Sequence, residues 1–456
     1  MHKYRTKSYK YIPPAIIILV AGGVSFLIAV LLIFFKSMSK SDILGINSII
    51  VKGSYMFMII AIFFLIISFL LYITSSDSKQ IEHCVKKRLF DSYYGNPLRF
   101  KDGELLPTVK CIRINKSAFA LTIKATTCTV EELINLAPVI SSSINGRYKQ
   151  YAVTNSEIDI AYNQVTYRIE DVLADKSLIV NSVERLESDD QTKIPIDKET
   201  CIDLTTSGSI LCCGKTRSGK TTGIISILLS VLQHGRDEFL SNIMIIDPKK
   251  AELSRLPYVV TLNSYGQAEN IFDQMKEFEK TIRYRQEALN KRSEQTGDAV
   301  KWWEIGMNPS FLFIDEYVAL RSLLPPKATK GDGGYNLRGF DDLLKRIITM
   351  GASAGCFAII SIAEASVEEG GLPSMLKSAM TTKILFKPTV EEARLIWNSE
   401  RLKVLNTERK YGAGDCWFST TDGVHDMPGY FRFPNLQFKV YEELGRLLKE
   451  YYAPKE

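Results

Sequence analysis

The chain has few of the residues that zinc sites and disulfide scaffolds are built from. Its 456 residues contain four histidines, and the eight cysteines (84, 111, 128, 201, 212, 213, 356 and 416) are scattered with no CxxC pair. Clustered thiols or Cys/His groups are what such frameworks require, so neither is suggested, and a reduced compartment is the simplest setting. Charge of one sign is also not in large excess. Lys and Arg total 57 against 51 Asp and Glu, a net +6, which permits contact with nucleic acid or anionic lipid without demanding either. No repeat with a period of roughly 20–50 residues recurs along the chain, which argues against a solenoid or propeller.

Long hydrophobic runs, by contrast, are present and concentrated near the N-terminus. Ala15 to Phe35 contains no charged residue, and neither does Ser54 to Ile73. Each is about 20 residues, enough for a helix to cross a ~30 Å hydrocarbon core, and the expectation is two transmembrane helices at about 15–35 and 54–73, within an anchor covering 1–76. Lys3, Arg5, Lys7 and Lys10 precede the first run, and Lys79, Lys86, Lys87 and Arg88 follow the second. The hairpin between them carries Lys36, Lys40 and Lys52 against Asp42. The basic flanks predict a multi-pass protein of the cell membrane with both termini cytoplasmic.

The most specific signal is Gly214-Lys215-Thr216-Arg217-Ser218-Gly219-Lys220-Thr221, which fits GxxxxGK[ST]. The apolar stretch Ser209 to Cys213 precedes it as a buried strand, and Thr222 to Leu232 follows as a buried helix. In that setting the backbone N–H groups from Gly214 to Thr222 curl around phosphate oxygens, Lys220 reaches the β- and γ-phosphates of ATP, and the Thr221 hydroxyl binds Mg²⁺. Downstream, Phe311-Leu312-Phe313-Ile314-Asp315-Glu316 has the form of a central parallel strand ending in two acids. Asp315 is the candidate Mg²⁺ carboxylate, and Glu316 the candidate general base for the attacking water.

The rest of the chain arranges itself around these motifs. A connector is expected over 77–104, helical and basic from Ser78 to Tyr94, and a small α+β module over 105–190. The module has strands at Val109 to Ile114 and Phe119 to Ala125, a capping-box helix start at Thr129, and further strands near Val165 to Ile169 and Ser177 to Val180. It carries no chemical motif and reads as a spacer or assembly platform. From 191 to 456 strands and helices alternate as in a doubly wound sheet. Asn242 to Ile246, Ala358 to Ile362 and Thr382 to Phe386 are core strands, and Asn270 to Leu289 is a long charged helix. On that helix Arg283 and Arg285, with Lys291 and Arg292 beyond, either touch nucleic acid or make up a solvated face. Pro325 to Phe340 reads as a mobile loop.

Taken together, these pieces resemble the FtsK/SpoIIIE family of DNA-pumping ATPases over roughly Ile194 to Phe433. The resemblance rests on the phosphate loop, on Ile245-Ile246-Asp247-Pro248-Lys249 with Ala251-Glu252-Leu253, on Phe313 to Leu320, on Lys345-Arg346 with Gly351 to Gly355, and on the turn Tyr411-Gly412-Ala413-Gly414-Asp415. It implies an α/β, RecA-like P-loop NTPase with a mainly parallel sheet, here preceded by two transmembrane helices and the small module. It also implies a homo-hexameric ring gripping DNA mainly by its backbone. The layout looks most like the membrane ATPases of Gram-positive conjugative transposons. That likeness implies a coupling protein for conjugative DNA transfer, with relaxase and transfer-channel proteins as partners beside the lipid bilayer. The chromosome-segregating members end in a winged-helix DNA reader, and the stretch after Phe438 leaves no room for one. The sequence departs from the family at Ser361-Ile362-Ala363-Glu364-Ala365-Ser366, where a Gln-Arg-Pro type sequence is usual, and at Ala352-Ser353, where an arginine is usual. If an arginine there completes a neighbour's ATP site, its loss either weakens hydrolysis or shifts the role to Arg346. Two other readings stay open at this point: an FtsK-type ATPase for protein secretion, and a nucleotide-binding membrane scaffold with little hydrolysis.

Overall fold

The computed structural model describes residues 14–38, 46–74, 77–90, 96–101, 103–144, 146–174, 177–198, 200–363, 372–397, 411–423 and 425–454. The chain divides into two units, 1–174 and 175–456.

In the first unit the apolar runs form α1 (Pro14–Met38) and α2 (Ile46–Thr74), which pack on each other. Side chains such as Leu27, Ile59 and Phe69 are more than half exposed on their outer faces. Of the two expected spans, one is long and apolar enough to cross a membrane, Ile50–Phe69 within α2, with a mean hydropathy of 2.4. Within α1 the apolar stretch found among the described residues, Ile18–Phe34, is shorter, so one of the two expected spans is found there at full length. Lys3, Arg5, Lys7 and Lys10, on which the orientation was read, lie outside the described residues.

The connector is helical, as its pattern predicts: α3 (Asp77–Phe90) buries Ile81, Val85 and Leu89. It packs against a four-stranded antiparallel sheet formed by β1 (Thr108–Arg113), β2 (Ala118–Lys124), β3 (Tyr151–Ile158) and β4 (Gln164–Asp171) in the order β1-β2-β4-β3. The capping box at Thr129 is present, its hydroxyl accepting from Glu132 N while the Glu132 carboxylate accepts from Thr129 N. It starts the short helix α4 (Val130–Ile134), and α5 (Ala137–Ser143) follows. Strand β3 escaped the sequence reading because its residues, YAVTNSEI, alternate weakly and half of them are polar.

Residues 175–190, expected with the module, cluster with the second unit. There β5 (Ile179–Val180) pairs in parallel with Asn435–Leu436, and β6 (Lys193–Pro195) pairs with β7 (Cys201–Asp203). The main sheet has eight strands. Those bearing the motifs are β8 (Ile210–Cys213), β9 (Ile243–Ile246), β11 (Ser310–Ile314) and β12 (Cys356–Ile362). The others are β10 (Val259–Val260), β13 (Thr382–Phe386), β14 (Asp415–Ser419) and β15 (Gly429–Arg432). The order is β10-β9-β11-β12-β8-β13-β14-β15, parallel from β10 to β13 and antiparallel at β14 and β15. The expected mainly parallel sheet is thus a mixed one with an antiparallel edge.

Strand residues alternate between two cores, because successive side chains point to opposite faces. Ile210, Cys212, Ile245, Phe313 and Ile359 face the side covered by α6 (Lys220–Leu232) and α12 (Val440–Tyr452). Leu211, Cys213, Ile246, Ile314 and Ile360 face the side covered by α7 (Glu269–Thr296) and α9 (Leu337–Gly351). Helix α9 begins inside the stretch read as a loop. Asn336 caps it by accepting from Gly339 N, and the Asp332 carboxylate organises the preceding turn by accepting from Thr329 N, Gly334 N and Asn336 Nδ2. The second unit also contains α8 (Tyr317–Ser322), α10 (Ser374–Ala379) and α11 (Val390–Ile396).

Arg285, one of the two helix arginines considered for nucleic acid, is fully buried. Its guanidinium donates to Ser310 Oγ at 2.7 Å and Asn308 O at 2.8 Å and lies 3.6 Å from Asp237 Oδ2. It is a staple between α7 and the start of β11, and nucleic acid cannot reach it. Arg283 is exposed and pairs with Glu279.

Candidate nucleotide site at the strand ends

The loop between β8 and α6 is shaped by two glycines that no other residue could replace without strain. Gly214 has φ +149°, and a Cβ there would lie 2.9 Å from Phe386 Cβ. Gly219 has φ +92°, and a Cβ there would come within 2.5 Å of Gly414 N, a backbone atom that cannot swing aside. Arg217 between them also has positive φ, +64°. The result is a tight cradle in which Lys215, Thr216, Arg217 and Thr222 are exposed, Thr221 is partly exposed, and Ser218 and Lys220 are buried. Gly219 stands at the N-cap of α6, and no side chain caps the helix there. Its first N–H groups therefore point into the cradle, with the positive end of the helix dipole behind them.

The order of the strands brings distant residues together. Strand β12 lies between β8 and β11, and its last carbonyl, Ile362 O, accepts from Gly214 N at 3.2 Å and Lys220 Nζ at 3.0 Å. The acids arrive from β11. Asp315 N donates to Ile246 O, which ties it to the end of β9. Glu316 turns the chain from β11 into α8 with φ +49° and ψ +59°, a left-handed conformation that is costly for a side chain with a Cβ. Its Oε1 is 4.0 Å from Lys220 Nζ and 3.2 Å from Lys249 Nζ. Asp315 Oδ1 and Ser218 Oγ are buried and have no hydrogen-bond partner among the described residues. Burial first, and then the negative charge of Glu316, hold the Asp315 carboxyl above the usual carboxylate range. A cation beside Asp315 would relieve both effects, and a triphosphate against the α6 N-terminus would meet the orphaned Ser218 hydroxyl and the Lys220 ammonium. The residues present thus fit ATP with Mg²⁺.

Two further contributors were not singled out for the site from the sequence. The turn at Gly412 to Asp415 closes the phosphate loop from the far side: Gly414 N donates to Ser218 O at 2.9 Å, and Lys387 Nζ donates to Arg217 O at 3.1 Å. The other is Lys249, which follows the buried Asp247. The Asp247 carboxylate accepts from Lys249 N, Ala251 N and Ser254 N at 2.9–3.0 Å, and so fixes the turn after β9. The sequence signal for both was the family-like segment in which they lie, which gave no roles.

The other candidate residues lie elsewhere. Arg346 sits on the exposed side of α9, its Nε donating to Glu279 Oε1 at 2.6 Å, and it does not join Lys220, Asp315 and Glu316 within this chain. Of the departing segment after β12, residues 364–366 lie outside the described residues, while Ser361 is buried in the strand itself. All eight cysteines are free thiols, and burial pushes Cys213, next to the phosphate loop, up to about 12, where it stays protonated and inert.

Known proteins resemble parts of this chain in sequence or fold. The FtsK domain-containing protein YdcQ of Bacillus subtilis (strain 168) is 28% identical over 152 residues, 33% of this chain and 28% of its own length. The DNA translocase FtsK of Campylobacter jejuni subsp. jejuni (strain 81-176) is 27% identical over 223 residues, 48% of this chain and 22% of that protein. The matches span about a quarter of the length of these curated relatives. A solved structure of the pCW3 conjugation coupling protein TcpA, in monomer form with ATPgS, aligns at a TM-score of 0.45 and 13% identity, covering 82% of this chain and 98% of that one. The sequence profile of the FtsK/SpoIIIE family matches residues 172–367, and with the phosphate loop, Asp315 and Glu316 assembled as described, this part of the chain belongs to the FtsK/SpoIIIE family.

Proposed function

We propose that the protein is a membrane-anchored ATPase that moves DNA, working as the coupling protein of conjugative transfer. The observation that carries this reading is the meeting of Lys220, Asp315 and Glu316, 95 residues apart and more in sequence (315 − 220), at one end of one sheet. The phosphate loop binds the triphosphate of ATP through its backbone N–H groups and Lys220. Thr221 and Asp315 hold Mg²⁺, which supplies charge neutralisation to the phosphate oxygens. Glu316 orients the attacking water and takes its proton. Arg346 is exposed, as a residue serving a neighbour's site in a ring must be.

DNA is the substrate in this reading because a relative matching 48% of the chain is a DNA translocase. The finer assignment to conjugation rests on layout, an apolar helix of membrane length and a small α+β module ahead of the motor domain. Contacts mainly to phosphates predict grip without sequence preference and a steep fall with salt. The test is ATP turnover by the full chain in detergent, with and without DNA, alongside Lys220→Ala. The expected result is DNA-stimulated hydrolysis that Lys220→Ala abolishes. Turnover that ignores DNA, with no crosslinking to DNA in cells, would overturn the DNA reading.

A further inference from the structure

Two ammonium groups approach the same oxygen of the candidate base, and they differ in how freely they can move. Lys220 has a side chain 7% exposed, and a hydrogen bond to Ile362 O holds it in place. Lys249 is nearer to Glu316 Oε1, at 3.2 Å, yet its side chain is 50% exposed. Its backbone is anchored by the Asp247 carboxylate, so the stem swings from a fixed point. The adjacent Lys250 cannot take its place. It adopts φ +52° and directs its Nζ to Asn263 O at 3.3 Å.

An ammonium bound to a carboxylate oxygen occupies the lone pair that would otherwise receive a proton from water. We propose that Lys249 is a positioning residue that latches Glu316 away from the attacking water, and that a phosphate competing for Lys249 opens the latch and licenses hydrolysis. The inference rests on the ATPase reading above. A half-exposed lysine pairs with a carboxylate only weakly in water, so a phosphate dianion or a row of backbone phosphates can displace Glu316 as its partner. The competing phosphate has two possible sources, the γ-phosphate of the bound nucleotide and the nucleic-acid backbone. In the second case the same lysine couples the presence of DNA to the chemical step.

The experiment measures steady-state ATP turnover of the full chain in detergent, with and without duplex DNA, for wild type, Lys249→Ala, Lys249→Gln and Lys249→Arg. A latch predicts that Ala and Gln raise the DNA-free kcat about fivefold or more, equivalent to ~1 kcal/mol of barrier. Arg, which keeps the charge, stays near wild type. If backbone phosphate is the competitor, DNA stimulates the wild type but adds little to the Ala variant, and KM for ATP is alike in both. If the γ-phosphate is the competitor, it displaces Glu316 from Lys249 only part of the time, so kcat still rises in the Ala variant, but KM for ATP rises with it and DNA affects both proteins equally. A DNA-free kcat in the Ala and Gln variants at or below that of wild type overturns the latch while leaving the ATPase reading intact. Loss of the ATPase reading itself has a different signature, no turnover by wild type under any condition.

Discussion

Asp315 is placed where its negative charge is unwelcome to the folded chain and useful to a metal. Because burial and Glu316 raise its folded pKa, the folded state holds this proton more tightly than the unfolded state does. That contribution to stability is present below the ordinary carboxylate range and is lost as pH rises through the raised value. Ionised Asp315 therefore costs stability at neutral pH. Asp315→Asn is expected to raise the melting temperature of the nucleotide-free protein at neutral pH and to abolish Mg²⁺-dependent turnover. The gain should be level above the raised pKa and shrink as pH falls through it toward the ordinary carboxylate range, below which wild-type Asp315 is neutral in both the folded and unfolded states. A melting curve for the variant below that of wild type at neutral pH would refute the placement. In wild type, Mg²⁺ binding near that pKa should release protons, because the metal needs the ionised carboxylate. The sequence pointed to this residue only through its company, since an acid ending an apolar strand is common at solvated sheet edges and gains meaning when a phosphate loop stands in the same chain. It did not announce Lys249 as a contact of Glu316, because a lysine beyond a strand end is ordinarily a solvated one, and only the neighbouring strand reveals what it faces.

At the level of single elements, the 3.6-residue and two-residue patterns located helices and strands well wherever one face was uniformly apolar. Strand β13 matches its expected bounds, Thr382 to Phe386, because both faces are buried and the run is unbroken. Helix α7 was placed correctly, but its charge pattern misled: Arg285 looks from the sequence like its exposed neighbour Arg283, yet lies at the core-facing position of that turn, among Ser310, Asn308 and Asp237. Arg285→Ala is expected to destabilise the protein by ~3–5 kcal/mol, because it leaves Asp237 without its buried partner. Thermal melting and limited proteolysis of the full chain provide the check, and a loss of DNA stimulation with unchanged stability would contradict the structural role. The loop that proved to be partly helix, Leu337 onward, was hidden by its Pro-Pro and Gly-rich approach, which masked the capping signal at Asn336.

For the whole molecule, the chain divides at 174/175, and the second unit has a core of its own. It contains both faces of the eight-stranded sheet and every site residue from Gly214 to Glu316. Residues 175–456 expressed alone are therefore expected to melt cooperatively and to gain stability on adding ATP with Mg²⁺, as measured by thermal shift. Aggregation or a broad, ligand-insensitive transition would show that the first unit is needed for the fold. By itself the sequence determined the phosphate-loop pattern, the strand ending in acids and an apolar helix of membrane length, because these are local patterns with direct physical causes. Only the tertiary structure decided that β12 lies between the loop strand and the acid strand, that the Gly414 turn closes the cradle, that Arg285 is buried, and that Lys249 meets Glu316. Those facts depend on which strands become neighbours, and that choice is made by the packing of two cores, to which residues far apart along the chain contribute together.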